Sequence, residues 1–193
     1  MKFLWNKFVL SLVLLWASAN FANAEIETKA AYAYMVDFDT NTVLMDKGGD
    51  VAMHPSSMSK LMTSYVVYDQ IKQGKLKFTD TFPVSEKAWK MGGSKMFVHV
   101  GDQVKVEDLI RGVVVQSGND ACVTLAEGIA GSEEAFAKMM NETADKIGLT
   151  KSHFVNATGW PDEEHVMSAK DLATLARRII TDFPEEYKYY GET

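Results

Sequence analysis

Residues 54–68 read HPSSMSKLMTSYVVY, and the reading of this stretch decides the fold. Pro55 suits the first turn of a helix, and neither Gly nor Pro interrupts the chain again before Gly74. Met58, Leu61, Met62, Tyr65, Val66 and Tyr68 recur at three- and four-residue intervals, which predicts a helix over 56–73 with Gly74 as its stop. Ser57 then falls in the first turn, where backbone N–H groups lack intrahelical partners and carry the positive end of the helix dipole. A developing alkoxide is stabilised there, and the Ser57 N–H is available to an oxyanion. Lys60 lies about one turn further on, so its amine can reach the Ser57 hydroxyl. Desolvation would lower the amine's pKa and make it the base that a serine nucleophile needs. The spacing by itself says little: 12 Ser and 17 Lys in 193 residues make about one Ser-x-x-Lys match by chance, and one is present. Its place at a helix start is what gives it weight.

Before this stretch, Ala30–Phe38 and Thr42–Met45 read as two strands joined across Asp39-Thr40-Asn41, with Lys47–Asp50 breaking the pattern. Beyond it, residues 75–105 are mixed. Short extended pieces are expected at Thr81–Val84 and Met96–Val100, on either side of the loop Met91-Gly92-Gly93-Ser94. From Val106 the chain turns helical, over Val106–Gln116, Asp120–Ala130, Ser132–Ile147 and Ser168–Thr181. Ser168 and Asp171 form a capping pair, and Pro184 closely follows the last helix. Cys122 lies in a helical apolar stretch and is read as core.

Residues 1–24 have the makeup of an export signal: Lys2 and Lys7, the apolar run Phe8–Trp16, then Ala22-Asn23-Ala24. The run is well short of the roughly 18 residues that span a bilayer. Cleavage after Ala24 would leave 169 residues and, with two lysines gone, move the net charge from −6 to −8. An acidic chain offers no electrostatic grip on phosphates, so a nucleic-acid partner is not expected. One cysteine cannot form an internal disulfide, and four scattered histidines make a poor metal site. No metal and no cofactor are expected. The sequons at Asn141 and Asn156 are short enough to arise by chance.

A second chemical element is Ser117-Gly118-Asn119, set between two predicted helices, where Gly118 permits an unusual turn. A helix cap is the plainer reading, since Ser and Asn favour helix starts. Together with Ser57 and Lys60, however, it resembles the active site of penicillin-recognising serine enzymes. The likeness extends over His54–Tyr65, Leu109–Gly112, Gln116–Val123, His153–Asn156 and Thr158-Gly159, in order. Over essentially the whole chain after residue 24, the sequence resembles the D-alanyl-D-alanine carboxypeptidases of the penicillin-binding protein 5/6 type. Ser56 and Ser59 stand where relatives often have Ala and Thr, and only Ser57 is three residues before Lys60.

The resemblance implies an α+β fold of the β-lactamase/DD-peptidase kind, an antiparallel sheet with a helical subdomain. It implies Ser57 as the acylated nucleophile, Lys60 as its base, Ser117 as a proton relay to the leaving group, and Asn119 as a holder of the substrate's backbone amide. The implied substrate is the peptidoglycan stem pentapeptide, losing its terminal D-alanine, with β-lactams as inhibitors. The implied location is the periplasm, at the inner membrane through a C-terminal anchor that these residues do not contain.

The family has a third element, Lys-Thr-Gly or Lys-Ser-Gly, and neither triplet occurs here. Lys72-Gln73-Gly74 is the nearest imitation, but it closes a helix ahead of Ser117. The expectation is that residues 25–193 are the N-terminal part of a catalytic domain, lacking the last sheet strands and, alone, weak or inactive. A class A β-lactamase is disfavoured by the lack of any Glu-x-x-x-Asn after residue 119 and by Gly118 where that class usually has Asp. An endopeptidase would use the same residues. A non-catalytic wall-binding protein would have no use for Ser57, Lys60, Ser117 and Asn119 together.

Overall fold

The computed structural model describes residues 27–193; the export signal expected at 1–24 lies outside the described residues. Strand β1 (Ala33–Val36) pairs antiparallel with β2 (Val43–Lys47), Tyr34 opposite Asp46 and Met35 opposite Met45. Both strands differ in extent from the sequence expectation, because a bulge follows Met35 and the Asp37 carboxylate gathers the turn. It accepts from the Thr40 N–H at 2.7 Å and the Thr40 hydroxyl at 2.6 Å.

Two further antiparallel pairs are short. β3 (Ala52–Met53) pairs with β6 (Met167–Ser168), and β4 (Thr81–Pro83) with β5 (Gln103–Lys105). The antiparallel strands thus form three separate ribbons among the described residues rather than one sheet. The expected extended piece at Met96–Val100 pairs with no strand. Its Met96 and Phe97 N–H groups are instead taken by the Asp120 carboxylate, both at 3.0 Å.

The helical body is close to the expected one. A 3-10 turn at Ser56–Ser59 runs into α1 (Lys60–Lys72), and the short α2 (Glu86–Lys90) starts on a Ser85 cap. Then come α3 (Val106–Val114), α4 (Asn119–Ala130), α5 (Glu133–Ile147) and α6 (Ala169–Asp182). Helix α2 was not foreseen, since five residues are too few for periodicity to register. Met62 to Tyr68 are buried without a break, so α1 is the central rod and not an amphipathic surface helix. Around it pack Leu109, Cys122, Leu125, Phe136, Met140, Phe154, Leu175 and Ile179. Cys122 is core, and burial pushes its thiol up to about 12.

The Ser168–Asp171 cap forms only in one direction. Ser168 Oγ accepts from the Asp171 N–H at 3.0 Å, while the Asp171 carboxylate turns away to the Lys151 N–H and the Ser152 hydroxyl. That pins the chain entering the 153–166 segment, whose return brings it against the start of α1. No helix among the described residues is long and apolar enough to cross a membrane.

Candidate active site

Ser57 sits in the 3-10 turn and not in the α-helix proper, which begins at Lys60. Ser59 and Lys60 are both right-handed helical, so the turn is continuous with α1 and keeps the end-of-helix field. Ser56 is left-handed with φ 49°, a conformation that costs a non-glycine residue about 1 kcal/mol or more. That kink presents Ser57 on the surface, and its N–H has no partner among the described residues.

Lys60 is only 5% exposed. Its Nζ donates to Ser57 Oγ at 3.0 Å and to the Thr158 carbonyl at 2.9 Å. No carboxylate pairs with it among the described residues. Burial without a counter-charge disfavours the ammonium, and the Lys60 pKa falls below the ordinary lysine value. A neutral amine at hydrogen-bond distance from a serine hydroxyl can accept its proton.

The Thr158 carbonyl is aimed by its own turn. Asn156 Oδ1 accepts four bonds, from the N–H groups of Thr158 (3.1 Å), Gly159 (2.8 Å) and Trp160 (3.0 Å) and from the Thr158 hydroxyl (3.1 Å). Gly159 is left-handed, φ 77°, and a Cβ there would stand 1.8 Å from the Ser56 carbonyl oxygen. Only glycine lets this turn lie on the Ser57 turn. Behind it, the buried Ser59 hydroxyl meets His165 Nε2 at 2.7 Å, and the Val155 N–H donates to His165 Nδ1 at 3.3 Å. The second bond puts the ring proton on Nε2, so His165 donates to Ser59. Burial holds the imidazole neutral by lowering its pKa to about 4.

Ser117 is left-handed, φ 53°, and Asn119 is the first residue of α4. Asn119 does not cap the helix, as the plainer reading had it. Its Nδ2 donates to the Gly92 carbonyl at 2.7 Å, and its N–H to the Ser94 carbonyl at 2.8 Å. With the Asp120 bonds to Met96 and Phe97, this fixes the glycine-containing loop 92–97 onto the start of α4. At Gly118 a Cβ would lie 3.0 Å from both the Gly112 carbonyl oxygen and Asp120 Oδ1. Gly118 itself is extended, φ −66° and ψ 118°, so the unusual backbone falls on Ser117 and not on the glycine.

The structure therefore joins Ser57 to Lys60 directly and fixes Ser117 and Asn119 at the head of α4. No hydrogen bond runs from Ser117 to Ser57 or Lys60. Sequence reasoning missed the Thr158 carbonyl, His165 and Asp120. The only hint of the first was the Thr158-Gly159 match quoted above. No cluster of three metal-type ligands occurs among the described residues.

Comparison with known proteins adds the following. The family model described as D-alanyl-D-alanine carboxypeptidase (Peptidase S11) matches residues 18–193. The chain is 42% identical over 164 residues to D-alanyl-D-alanine carboxypeptidase DacC of Escherichia coli K12, covering 82% of this chain and 41% of that protein. The crystal structure of D-alanyl-D-alanine carboxypeptidase DacD from Francisella tularensis superposes with a TM-score of 0.85 at 41% identity, covering 91% of this chain and 45% of that one. Penicillin-binding protein D2 of Listeria monocytogenes in its ampicillin-bound form gives a TM-score of 0.73 at 26% identity, over 83% of this chain and 65% of that one. The chain spans about half the length of the curated relatives it matches.

Proposed function

The chain belongs to the D-alanyl-D-alanine carboxypeptidase family, Peptidase S11, and on that premise we propose that it carries the nucleophile of a serine carboxypeptidase acting on peptidoglycan stem pentapeptides. The observation that carries the reading is the 3.0 Å bond between a buried, uncompensated Lys60 amine and the Ser57 hydroxyl. In this reading neutral Lys60 takes the Ser57 proton as Oγ attacks the carbonyl of the penultimate D-alanine. The Ser57 N–H supplies one donor to the resulting oxyanion. Ser117 passes the proton from Lys60 to the departing amine, and D-alanine leaves as the acyl-serine forms. Water then attacks the ester, Lys60 again acting as base, and frees the shortened peptide with Ser57 restored. Asn119 holds the substrate's backbone amide. β-Lactams would acylate the same oxygen, their ring amide standing in for the D-Ala-D-Ala bond. Export to the periplasm is part of the same proposal, supported by the signal-like residues 1–24, and suits a substrate in the cell wall.

The test is D-alanine release from a diacetyl-lysyl-D-alanyl-D-alanine peptide by the protein as its gene encodes it. One equivalent of D-alanine per peptide, lost in Ser57→Ala, is the expected result. Peptide left intact while cross-linked dimers are cut would instead identify an endopeptidase.

A further inference from the structure

Trp160 is the large side chain that neither the motifs nor the mechanism uses. Its main chain is set without the indole: the N–H donates to Asn156 Oδ1 at 3.0 Å and Thr158 Oγ1 at 3.1 Å, and the carbonyl accepts from Asn156 Nδ2 at 3.0 Å. The residue is 47% exposed, so it is not core. It lines a cavity of about 360 Å³ together with His54, Pro55 and Ser56, just ahead of Ser57.

The other edge of the ring is engaged. A Cβ at Gly92 would lie 3.2 Å from Trp160 Cη2. One at Gly93 would lie 3.7 Å from Cζ3 and 2.9 Å from Asn119 Nδ2. The benzo edge of the indole therefore occupies the side of Gly92 and Gly93 where a side chain would stand, and the Gly92 carbonyl is the acceptor of the Asn119 amide. Among the described residues no hydrogen bond or ion pair joins the 91–100 segment to the 153–166 segment. The indole bridges them by contact. On one side of it the turn holds Lys60 through the Thr158 carbonyl, and on the other the loop holds Asn119.

We propose that Trp160 is a positioning residue for acylation, its indole bracing the Gly92-Gly93 peptide and so keeping Asn119 in register with Ser57 and Lys60. The inference rests on the acyl-serine reading above. Losing the ring leaves the Lys60 clamp in place, because Asn156 and the Thr158 carbonyl form it without the indole, and frees the loop that orients Asn119. The cost then falls on the step that needs Asn119, and only while Asn119 is present.

The experiment is a double-mutant cycle on the rate constant for acylation by benzylpenicillin, read by intact mass on the protein as its gene encodes it. Trp160→Ala and Trp160→Leu, neither of which reaches Gly92, should each slow acylation by about tenfold, within the range of coupled neighbours. Trp160→Phe should recover most of that rate. In an Asn119→Ala background, Trp160→Ala should change the rate by less than about twofold. Two results overturn the inference: a wild-type rate in both Trp160→Ala and Trp160→Leu, or the same tenfold loss with Asn119 already removed. A wild-type protein that benzylpenicillin does not acylate at all overturns the acyl-serine reading and this inference with it.

Discussion

The burial of Lys60 suits the proposed chemistry and comes at a cost to folding. Its amine has two neutral acceptors and no counter-charge, and its pKa lies below that of the same lysine in the unfolded chain. Between those two values the unfolded state holds the extra proton, so stability rises with pH across that window. Lys60→Met should flatten that rise and add about 1 kcal/mol at neutral pH, the desolvation relief outweighing two acceptors left unpaired. The same substitution should slow penicillin acylation at least 100-fold, the scale of a lost general base. Denaturant unfolding from pH 7 to 10, with acylation followed by mass, checks both. The Ser57–Lys60 pair was legible because i and i+3 are neighbours on one turn. Its supports were not: the Thr158 carbonyl is 98 residues from Lys60, and His165 is 106 from Ser59. Residue types at such separations carry no local period.

Among the elements, the helices were the most readable, because α3, α5 and α6 bury one face and α1 begins and ends on clear signals. What escaped was short or long-range. β3 and β6 are two residues each, pairing Ala52 with Ser168 and Met53 with Met167 from far apart in the chain, and α2 holds five residues. The Met96–Val100 piece looked like a strand but spends its N–H groups on Asp120. The turn at 156–160 is the element that sets the site, and Gly159 tests it. Gly159→Ala puts a methyl into the Ser56 carbonyl and forces a left-handed residue to carry a side chain. Thermal or denaturant unfolding should show a loss of about 3 kcal/mol. Penicillin acylation should fall with it as Thr158 and Ser57 are pushed apart; stability and acylation like the wild type would contradict the arrangement.

For the whole molecule, the order of the motifs along the chain was enough to suggest the family, because the likeness runs from His54 to Gly159 rather than resting on six residues. In three dimensions the start of α1, the head of α4 and the turn before β6 come together, although about 60 and about 40 residues separate them in sequence. The central claim is that Ser57 forms a covalent acyl-enzyme with Lys60 as its base. The most direct measurement is intact mass of the protein, as its gene encodes it, after incubation with benzylpenicillin, followed by peptide mapping. The account predicts one added penicilloyl group, mapped to Ser57 and absent from Ser57→Ala. An unmodified wild-type protein, or an adduct that persists in Ser57→Ala, would contradict it.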